Sequence, residues 1–197
     1  DDEVAIWNAA DLKPLKKFKV DTNGLKRIEY VTPHELAVAG ETTSVWNTNS
    51  GALVRQLLPG RYSQSLARSP DGSRLVFGGD DSLHVWNIAD AKEEAVINHG
   101  VSGSERVAFS PDGRFFATAG VADGFITVWD AMTPGAKRII RDPRDALHDL
   151  GFSPGGQRLV ASGSSPQNVV TLWDVETGRD VAALPGAPRW YPHVGFS

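Results

Sequence analysis

Apolar residues occur along the chain in short alternating or continuous stretches, separated by turn-forming residues. One example is Arg106-Val107-Ala108-Phe109, which precedes a Pro-Asp-Gly turn, and another is Phe115-Phe116-Ala117-Thr118, which follows it. Proline presets φ for a turn and glycine accepts positive φ, so two such stretches are expected to form a β-hairpin. No stretch has the 3.6-residue period of an amphipathic helix. The pattern predicts an all-β protein.

A tryptophan that follows an apolar residue and precedes Asp or Asn recurs at regular intervals. A spacing of about 40 residues is typical of tandem structural repeats. Each tryptophan ends a short apolar stretch, as in Phe125-Ile126-Thr127-Val128-Trp129, and a turn with one more stretch follows it. The repeated tryptophans are Trp7, Trp46, Trp86, Trp129 and Trp173.

A second motif precedes most of these tryptophans at a similar distance. It reads Ser69-Pro70-Asp71-Gly72, Ser110-Pro111-Asp112-Gly113 and Ser153-Pro154-Gly155-Gly156, with Thr32-Pro33-His34-Glu35 as a degenerate copy. Each repeat therefore contains a hairpin, a small-residue turn, a strand that ends in Trp, and a fourth strand. Four strands in a repeat of about 40 residues predict the blade of a β-propeller.

With these two motifs in constant phase, the chain resembles the WD-repeat family over its whole length. The resemblance implies a β-propeller of four-stranded antiparallel blades, with four complete blades and two partial ones in this chain. The predicted boundaries are 1–24 for a partial blade, then 25–61, 62–101, 102–144 and 145–188 for complete blades, and 189–197 for the first strand of a further blade.

Two partial blades leave a ring incomplete, and open sheet edges attract foreign strands. Roughly a dozen additional residues would close a ring of five blades, which lies inside the range of known propellers. Alternatively, two or three further blades would give the seven or eight that the family resemblance favours. We expect the second arrangement, with this chain as part of a longer protein and other blades of that protein completing the ring.

The family resemblance also implies a buried set of hydrogen-bonded Asp, His, Ser or Thr, and Trp within a blade. His99, Thr118, Asp123 and Trp129 fill these positions in one repeat, and Asp80 fills the Asp position of another. Val38 and Phe77 stand at the hydroxyl position of two other repeats, which are therefore expected to rely on apolar packing. Structural roles are assigned to His99, Thr118, Asp123 and Asp80, and to the five repeated tryptophans.

Composition and charge narrow the classes of function. With 24 acidic and 20 basic residues the net charge is −4, which weighs against a nucleic-acid partner. No apolar run reaches the roughly 20 residues of a membrane span, so no membrane association is expected, and the chain contains no cysteine. The absence of cysteines and of Asn-x-Ser/Thr sites fits a cytoplasmic location.

The polar residues do not form a recognisable catalytic or metal-binding motif. The five histidines lack the spacing of a metal site, and no nucleophile elbow or phosphate-binding loop occurs. The pairs Asp1-Asp2 and Asp80-Asp81 are interpreted as turn formers with solvated neighbours. We therefore expect no enzyme activity, no cofactor and no metal. An alternative is a propeller attached to or gating an enzyme of the peptidase or signalling type, since Ser-Pro-Asp-Gly hairpins also occur in peptidase-associated propellers.

Residues that break the repeat are the candidates for binding a protein or peptide. Trp190 is the one tryptophan outside the repeated position, although it could instead fill a seam between blades. Trp, Tyr and Arg are the side chains that anchor interfaces most strongly. In the connections between blades these candidates are Arg61, Tyr62, Arg141, Arg144, Arg189, Trp190 and Tyr191. Arg68 replaces the Phe109 and Phe152 of other repeats, which indicates either a local polar contact or shifted packing. The sequence thus predicts a non-catalytic scaffold for protein–protein interaction.

Overall fold

The computed structural model describes most of the chain, and all of its regular secondary structure is β. The described residues are 2–58, 62–78, 82–98, 104–120, 124–133, 137–141, 146–164, 169–185 and 194–196. The strands are β1 (Asp2–Trp7), β2 (Pro14–Val20), β3 (Arg27–Thr32), β4 (Glu35–Ala39), β5 (Thr43–Asn47), β6 (Leu53–Leu58), β7 (Ser65–Arg68), β8 (Arg74–Gly78), β9 (Ser82–Asn87), β10 (Lys92–Asn98), β11 (Ser104–Phe109), β12 (Phe115–Gly120), β13 (Phe125–Asp130), β14 (Lys137–Arg141), β15 (Ala146–Phe152), β16 (Arg158–Ser164), β17 (Val169–Asp174) and β18 (Asp180–Pro185).

The strands form antiparallel sheets in chain order. Four sheets have four strands each, and we call them the first blade (β3–β6), the second (β7–β10), the third (β11–β14) and the fourth (β15–β18). A two-stranded N-terminal sheet, β1–β2, precedes them. The predicted all-β architecture of four-stranded antiparallel blades is confirmed. In the part of the chain described here, no helix has the length and apolar character needed to cross a membrane.

The first strands of successive blades lie beside one another, with β3 next to β7, β7 next to β11 and β11 next to β15. A buried ion pair joins two of them, because Arg106 Nε of β11 lies 2.8 Å from Asp149 Oδ1 of β15. The other oxygen, Asp149 Oδ2, accepts a hydrogen bond from the backbone of Val194 at 3.0 Å. Residues 194–196 therefore lie beside the fourth blade, and they pair with no strand in the described part of the chain.

The apolar core lies between the blades. Leu66 of the second blade belongs to a buried cluster that the first and second blades form together. Val107 of the third blade belongs to the equivalent cluster between the second and third blades. Leu150 of the fourth blade belongs to the equivalent cluster between the third and fourth blades. Each junction buries apolar side chains of two sheets, so every blade is stabilised mainly through its neighbours.

The N-terminal end of this stack is more exposed than the internal junctions. Ile28 and Tyr30 correspond in β3 to the positions of Val107 and Phe109 in β11, but they are 49% and 47% exposed. Trp7 was expected in a blade core and is instead 53% exposed. The reason is that a repeat tryptophan is covered by the second strand of its own blade, and β1 pairs only with β2 among the described strands.

The Ser-Pro-Asp-Gly turns are held by the aspartate carboxylate. Asp71 Oδ1 accepts hydrogen bonds from Ser69 Oγ at 2.6 Å and from the backbone N–H of Ser73 at 3.0 Å. Asp112 makes the equivalent bonds to Ser110 Oγ and to the N–H of Arg114, at 2.6 and 3.1 Å. The fourth blade has Gly155 at this position, so its turn lacks the carboxylate. These turns therefore share one backbone path but differ in hydrogen bonding.

We predict that Gly155→Asp stabilises the protein by about 0.5–1.5 kcal/mol, because it restores the acceptor and restricts the unfolded chain. The end of the Gln157 side chain occupies the space that a Cβ would need, and this flexible group can turn away. Urea denaturation would measure the change. The matched control is Gly156→Asp, where φ is +76° and a side chain is strained, so that variant should be less stable than the wild type. A destabilised Gly155→Asp variant would contradict the prediction.

A second prediction concerns acid stability. The hydroxyl of Ser69, then the backbone N–H and hydroxyl of Ser73, lower the pKa of Asp71 from 3.8 to about 2. The pKa of Asp71 is lower in the folded protein than in the unfolded chain, so the ionised carboxylate stabilises the folded state. This stabilisation is complete above the ordinary pKa and is lost as pH falls from about 4 to about 2. Asp71→Asn should therefore differ most from the wild type near neutral pH, and the difference in unfolding free energy should shrink on acidification. A difference that stays constant down to pH 2 would rule out this linkage.

Candidate functional site

Strand order gives each blade two distinct ends. In an antiparallel four-stranded sheet, the turn from the second to the third strand and the connection to the next blade leave from the same end. We call this end the upper face. Its described residues include 21–26, which follow β2, 40–42, which precede β5, and 62–64, which precede β7.

The structure describes part of the predicted binding set. Tyr62 lies on the upper face and is half-buried, and Arg141 is the last residue of β14, paired with Phe125. The remaining members lie outside the described residues; they are Arg61, Arg144, Arg189, Trp190 and Tyr191.

Around Tyr62 the upper face is fixed by main-chain hydrogen bonds. We call residues 21–26, 40–42 and 62–64 the Tyr62 corner. The N–H of Ser63 donates to Gly40 O at 2.7 Å, and the N–H of Glu41 donates to Thr22 O at 2.8 Å. A Cβ on Gly40 would lie 2.7 Å from Thr22 O, so this close approach requires glycine. The Lys26 ammonium lies 5.9 Å from the centre of the Tyr62 ring, within the range of a cation–π contact.

Asp2 holds the other side of the Tyr62 corner. Its Oδ2 accepts hydrogen bonds from Thr22 Oγ1 at 2.8 Å and from the backbone N–H groups of Gly24 and Leu25 at 2.8 and 2.9 Å. These bonds, with that from Gly24 first, lower the pKa of the Asp2 carboxyl. The interpretation of Asp2 as a turn former with solvated neighbours is therefore wrong. No local signal could reveal it, because its partners lie 20 to 23 residues away.

The hydrogen bond of the repeated tryptophan differs from blade to blade. In the third blade Trp129, which is 2% exposed, donates its Nε1–H to Thr118 Oγ1 at 3.1 Å. The other expected members, His99 and Asp123, lie outside the described residues, as does Asp80 of the second blade. In the fourth blade Ala161 stands where the third has Thr118. The Nε1–H of Trp173, which is 6% exposed, accordingly has no hydrogen-bond partner in the described chain.

The first blade forms its own version of the tryptophan hydrogen bond. Val38 stands at the hydroxyl position, so apolar packing alone was expected. Instead Trp46 Nε1 donates to Ser44 Oγ at 2.8 Å, and Ser44 pairs with Val38 across the sheet. A hydroxyl on the same strand as the tryptophan thus replaces one on the neighbouring strand.

In the second blade a histidine, His84, stands at the position that Ser44 occupies in the first blade. Phe77 at the hydroxyl position stacks on His84, with ring centres 5.8 Å apart. His84 Nδ1 lies 2.5 Å from Glu93 Oε1, and its Nε2 lies 3.3 Å from Ser82 Oγ. The order serine, histidine, glutamate is that of a nucleophile, base and acid. Ser82 and His84 are both buried, the Ser82–His84 contact lies within β9, and the His84–Glu93 contact joins β9 to β10.

Arg68 does not shift the packing, and its buried Nε has no hydrogen-bond partner in the described chain. It pairs in register with Leu75, as Phe109 does with Phe116. Its guanidinium lies against Gly72 of its own turn. Glu29 of the neighbouring β3 is close enough for the Arg68 charge to lower its pKa, but burial has the larger effect and raises that pKa overall.

The two buried tryptophans, Trp129 and Trp173, allow a matched test of the hydrogen bond to Thr118. We predict that Trp129→Phe destabilises the protein by about 1 kcal/mol more than Trp173→Phe. Both changes remove similar volume, but only the first breaks a hydrogen bond, whereas the second removes an N–H that has no partner. Thermal or urea unfolding of both variants would measure the difference. Equal losses would indicate that the Thr118 bond adds nothing beyond packing.

The repeats also match a known family model. The model described as "WD domain, G-beta repeat" matches residues 58–87 and 97–130. These two segments cover the first three strands of the second and third blades, including their Trp-Asn and Trp-Asp sequences. The four-stranded blades and this match define a WD-repeat β-propeller protein.

Several curated proteins are similar to the chain. The Drosophila melanogaster "Protein LST8 homolog" is 30% identical over 170 residues, which is 82% of this chain and 53% of that protein. "Protein groucho" of Drosophila melanogaster is 29% identical over 138 residues, or 68% of this chain and 18% of that protein. "Small ribosomal subunit protein RACK1y" of Oryza sativa subsp. japonica is 32% identical over 110 residues, or 55% of this chain and 31% of that protein.

The chain therefore belongs to the WD-repeat family. It spans between 18% and 53% of the length of these three relatives.

Proposed function

We propose that this chain is a non-catalytic scaffold that binds other proteins or peptides through its upper face. The observation that carries the proposal is the sequence position of its off-repeat Arg, Tyr and Trp residues, which stand at or after the end of the last strand of a blade. Aromatic and arginine side chains dominate the binding energy of protein interfaces. The proposed contact residues are Arg61, Tyr62, Arg141, Arg144, Arg189, Trp190 and Tyr191.

The Tyr62 corner supports this proposal through its rigidity. Main-chain bonds to Gly40 and Thr22 hold Ser63 and Glu41, and the carboxylate of Asp2 holds Thr22. A side chain that is already ordered loses little conformational entropy on binding, so its contacts contribute more to affinity. The repeating sheets beneath it allow the connections to vary without disturbing the fold.

The names of relatives are consistent with this class of function. "Actin-interacting protein 1" of Drosophila melanogaster is 25% identical over 126 residues, which is 21% of that protein. We infer a protein or peptide partner for this chain from the chemistry of its upper face, and a cytoplasmic location from its lack of cysteines.

Site-specific cross-linking tests the proposal. A benzoylphenylalanine placed at Tyr62 should form adducts with a partner protein, and one placed at the exposed Leu12, on the opposite face, should not. Replacing both Arg61 and Trp190 with Ala should reduce the Tyr62 adducts about tenfold or more, because central Arg and Trp contacts are each worth roughly 2 kcal/mol. Circular dichroism would verify that the variants fold. Undiminished adducts in the doubly substituted protein would refute the assignment of this face.

A further inference from the structure

Met132 carries the only sulfur atom of the chain, which contains one methionine and no cysteine. It lies in the turn that follows β13 of the third blade, at the end of the blades opposite the upper face. Its side chain is 69% exposed, so an oxidant in solution reaches the thioether without any opening of the fold. A thioether in this setting is open to oxidation to the sulfoxide.

The backbone on both sides of Met132 is held in place. Asp130 Oδ1 accepts the backbone N–H groups of Met132 and Thr133, both at 2.9 Å. Ala131 is buried and belongs to the apolar cluster between the second and third blades. The side chain of Met132 therefore extends from a defined point at the junction of these two blades.

The sulfur atom of Met132 contacts a guanidinium group of the neighbouring blade. Arg74, the first residue of β8 in the second blade, donates from Nη1 to Met132 Sδ at 3.5 Å. The same guanidinium is held by Glu94, whose Oε2 lies 2.7 Å from Arg74 Nε and whose Oε1 accepts from Asn87 Nδ2 at 2.8 Å. The donor is thus oriented toward Met132 by its own blade.

The donor and the acceptor of this contact differ in strength. A thioether sulfur is a weak acceptor, whereas hydrogen bonds from a charged guanidinium to an oxygen are strong. Because Arg74 Nη1 already lies at contact distance from Met132 Sδ, an oxygen bonded to that sulfur comes within reach of the guanidinium by a rotation of the side chain. Little apolar packing is lost on oxidation, since the Met132 side chain is exposed. The sulfoxide should therefore bind Arg74 more strongly than the thioether does.

We propose that Met132 is a site of reversible oxidation that strengthens the junction between the second and third blades through Arg74. The oxidant is a peroxide. A lone pair of the sulfur attacks one peroxide oxygen, the S–O bond forms as the O–O bond breaks, and the displaced oxygen leaves as water with the peroxide protons. Methionine sulfoxide reductases restore the thioether. This site lies away from the upper face and does not depend on the proposed scaffold function.

The experiment compares thermal unfolding of the chain before and after treatment with hydrogen peroxide, with tandem mass spectrometry to locate the added oxygen. Oxidation of Met132 should raise the unfolding midpoint by about 1–3 °C, as expected for one additional hydrogen bond in a protein of this size. Arg74→Gln should abolish the increase. Each variant is compared with its own reduced form, so the loss of the ion pair with Glu94 cancels. Arg55→Gln is the matched control, because Arg55 pairs with Glu35 at 3.1 Å in the first blade, and it should retain the increase.

Two variants of Met132 separate the sulfoxide from other effects of the oxidant. Met132→Leu should show no change in midpoint on treatment with peroxide. Met132→Gln supplies an amide oxygen and should have a higher midpoint than Met132→Leu without any oxidant, a difference that disappears when Arg74→Gln is added to both. The proposal is overturned if Met132 resists oxidation in the folded protein, if its oxidation leaves the wild-type midpoint unchanged or lowers it, or if the increase persists in Arg74→Gln.

Discussion

The structure depends on the burial of apolar faces between neighbouring blades. A blade presents apolar side chains on both faces, and each face is covered only when another sheet lies against it. Ile140 of the third blade is buried against the fourth, whereas Leu184, at the equivalent position of the fourth blade, is 50% exposed. The internal blades are consequently held on both sides, and this makes the stack a stable support for variable surface residues.

This constraint divides the chain into two kinds of position. Residues at the junctions must be apolar and of suitable size, so they carry little information about function. Residues in the turns and connections are free to vary, and they occur at the two ends of the blades. On the upper face the N–H of Ser63, next to Tyr62, donates to Gly40 O, while the opposite face carries the Ser-Pro-Asp-Gly turns with their carboxylates. The two faces therefore offer different chemistry to a partner.

Polar contacts inside the blades differ from one blade to the next. Trp129 is bonded to a threonine on the next strand, Trp46 to a serine on its own strand, and His84 of the second blade to a glutamate. The fourth blade retains Trp173 without such a bond in the described residues. Apolar packing fixes the tryptophan side chains, and the hydrogen bonds adjust stability by roughly 1 kcal/mol each.

The sequence alone determined the repeat, the strand order and the turns, because Pro-Asp-Gly chemistry and period-two apolar stretches act over a few neighbouring residues. It could also place the candidate binding residues in connections between strands. Only the tertiary structure decided which distant groups meet. Asp2 binds a loop 20 to 23 residues away, and Arg106 pairs with Asp149 of another blade. Such contacts depend on how separate sheets are stacked, and no spacing along one strand encodes that geometry.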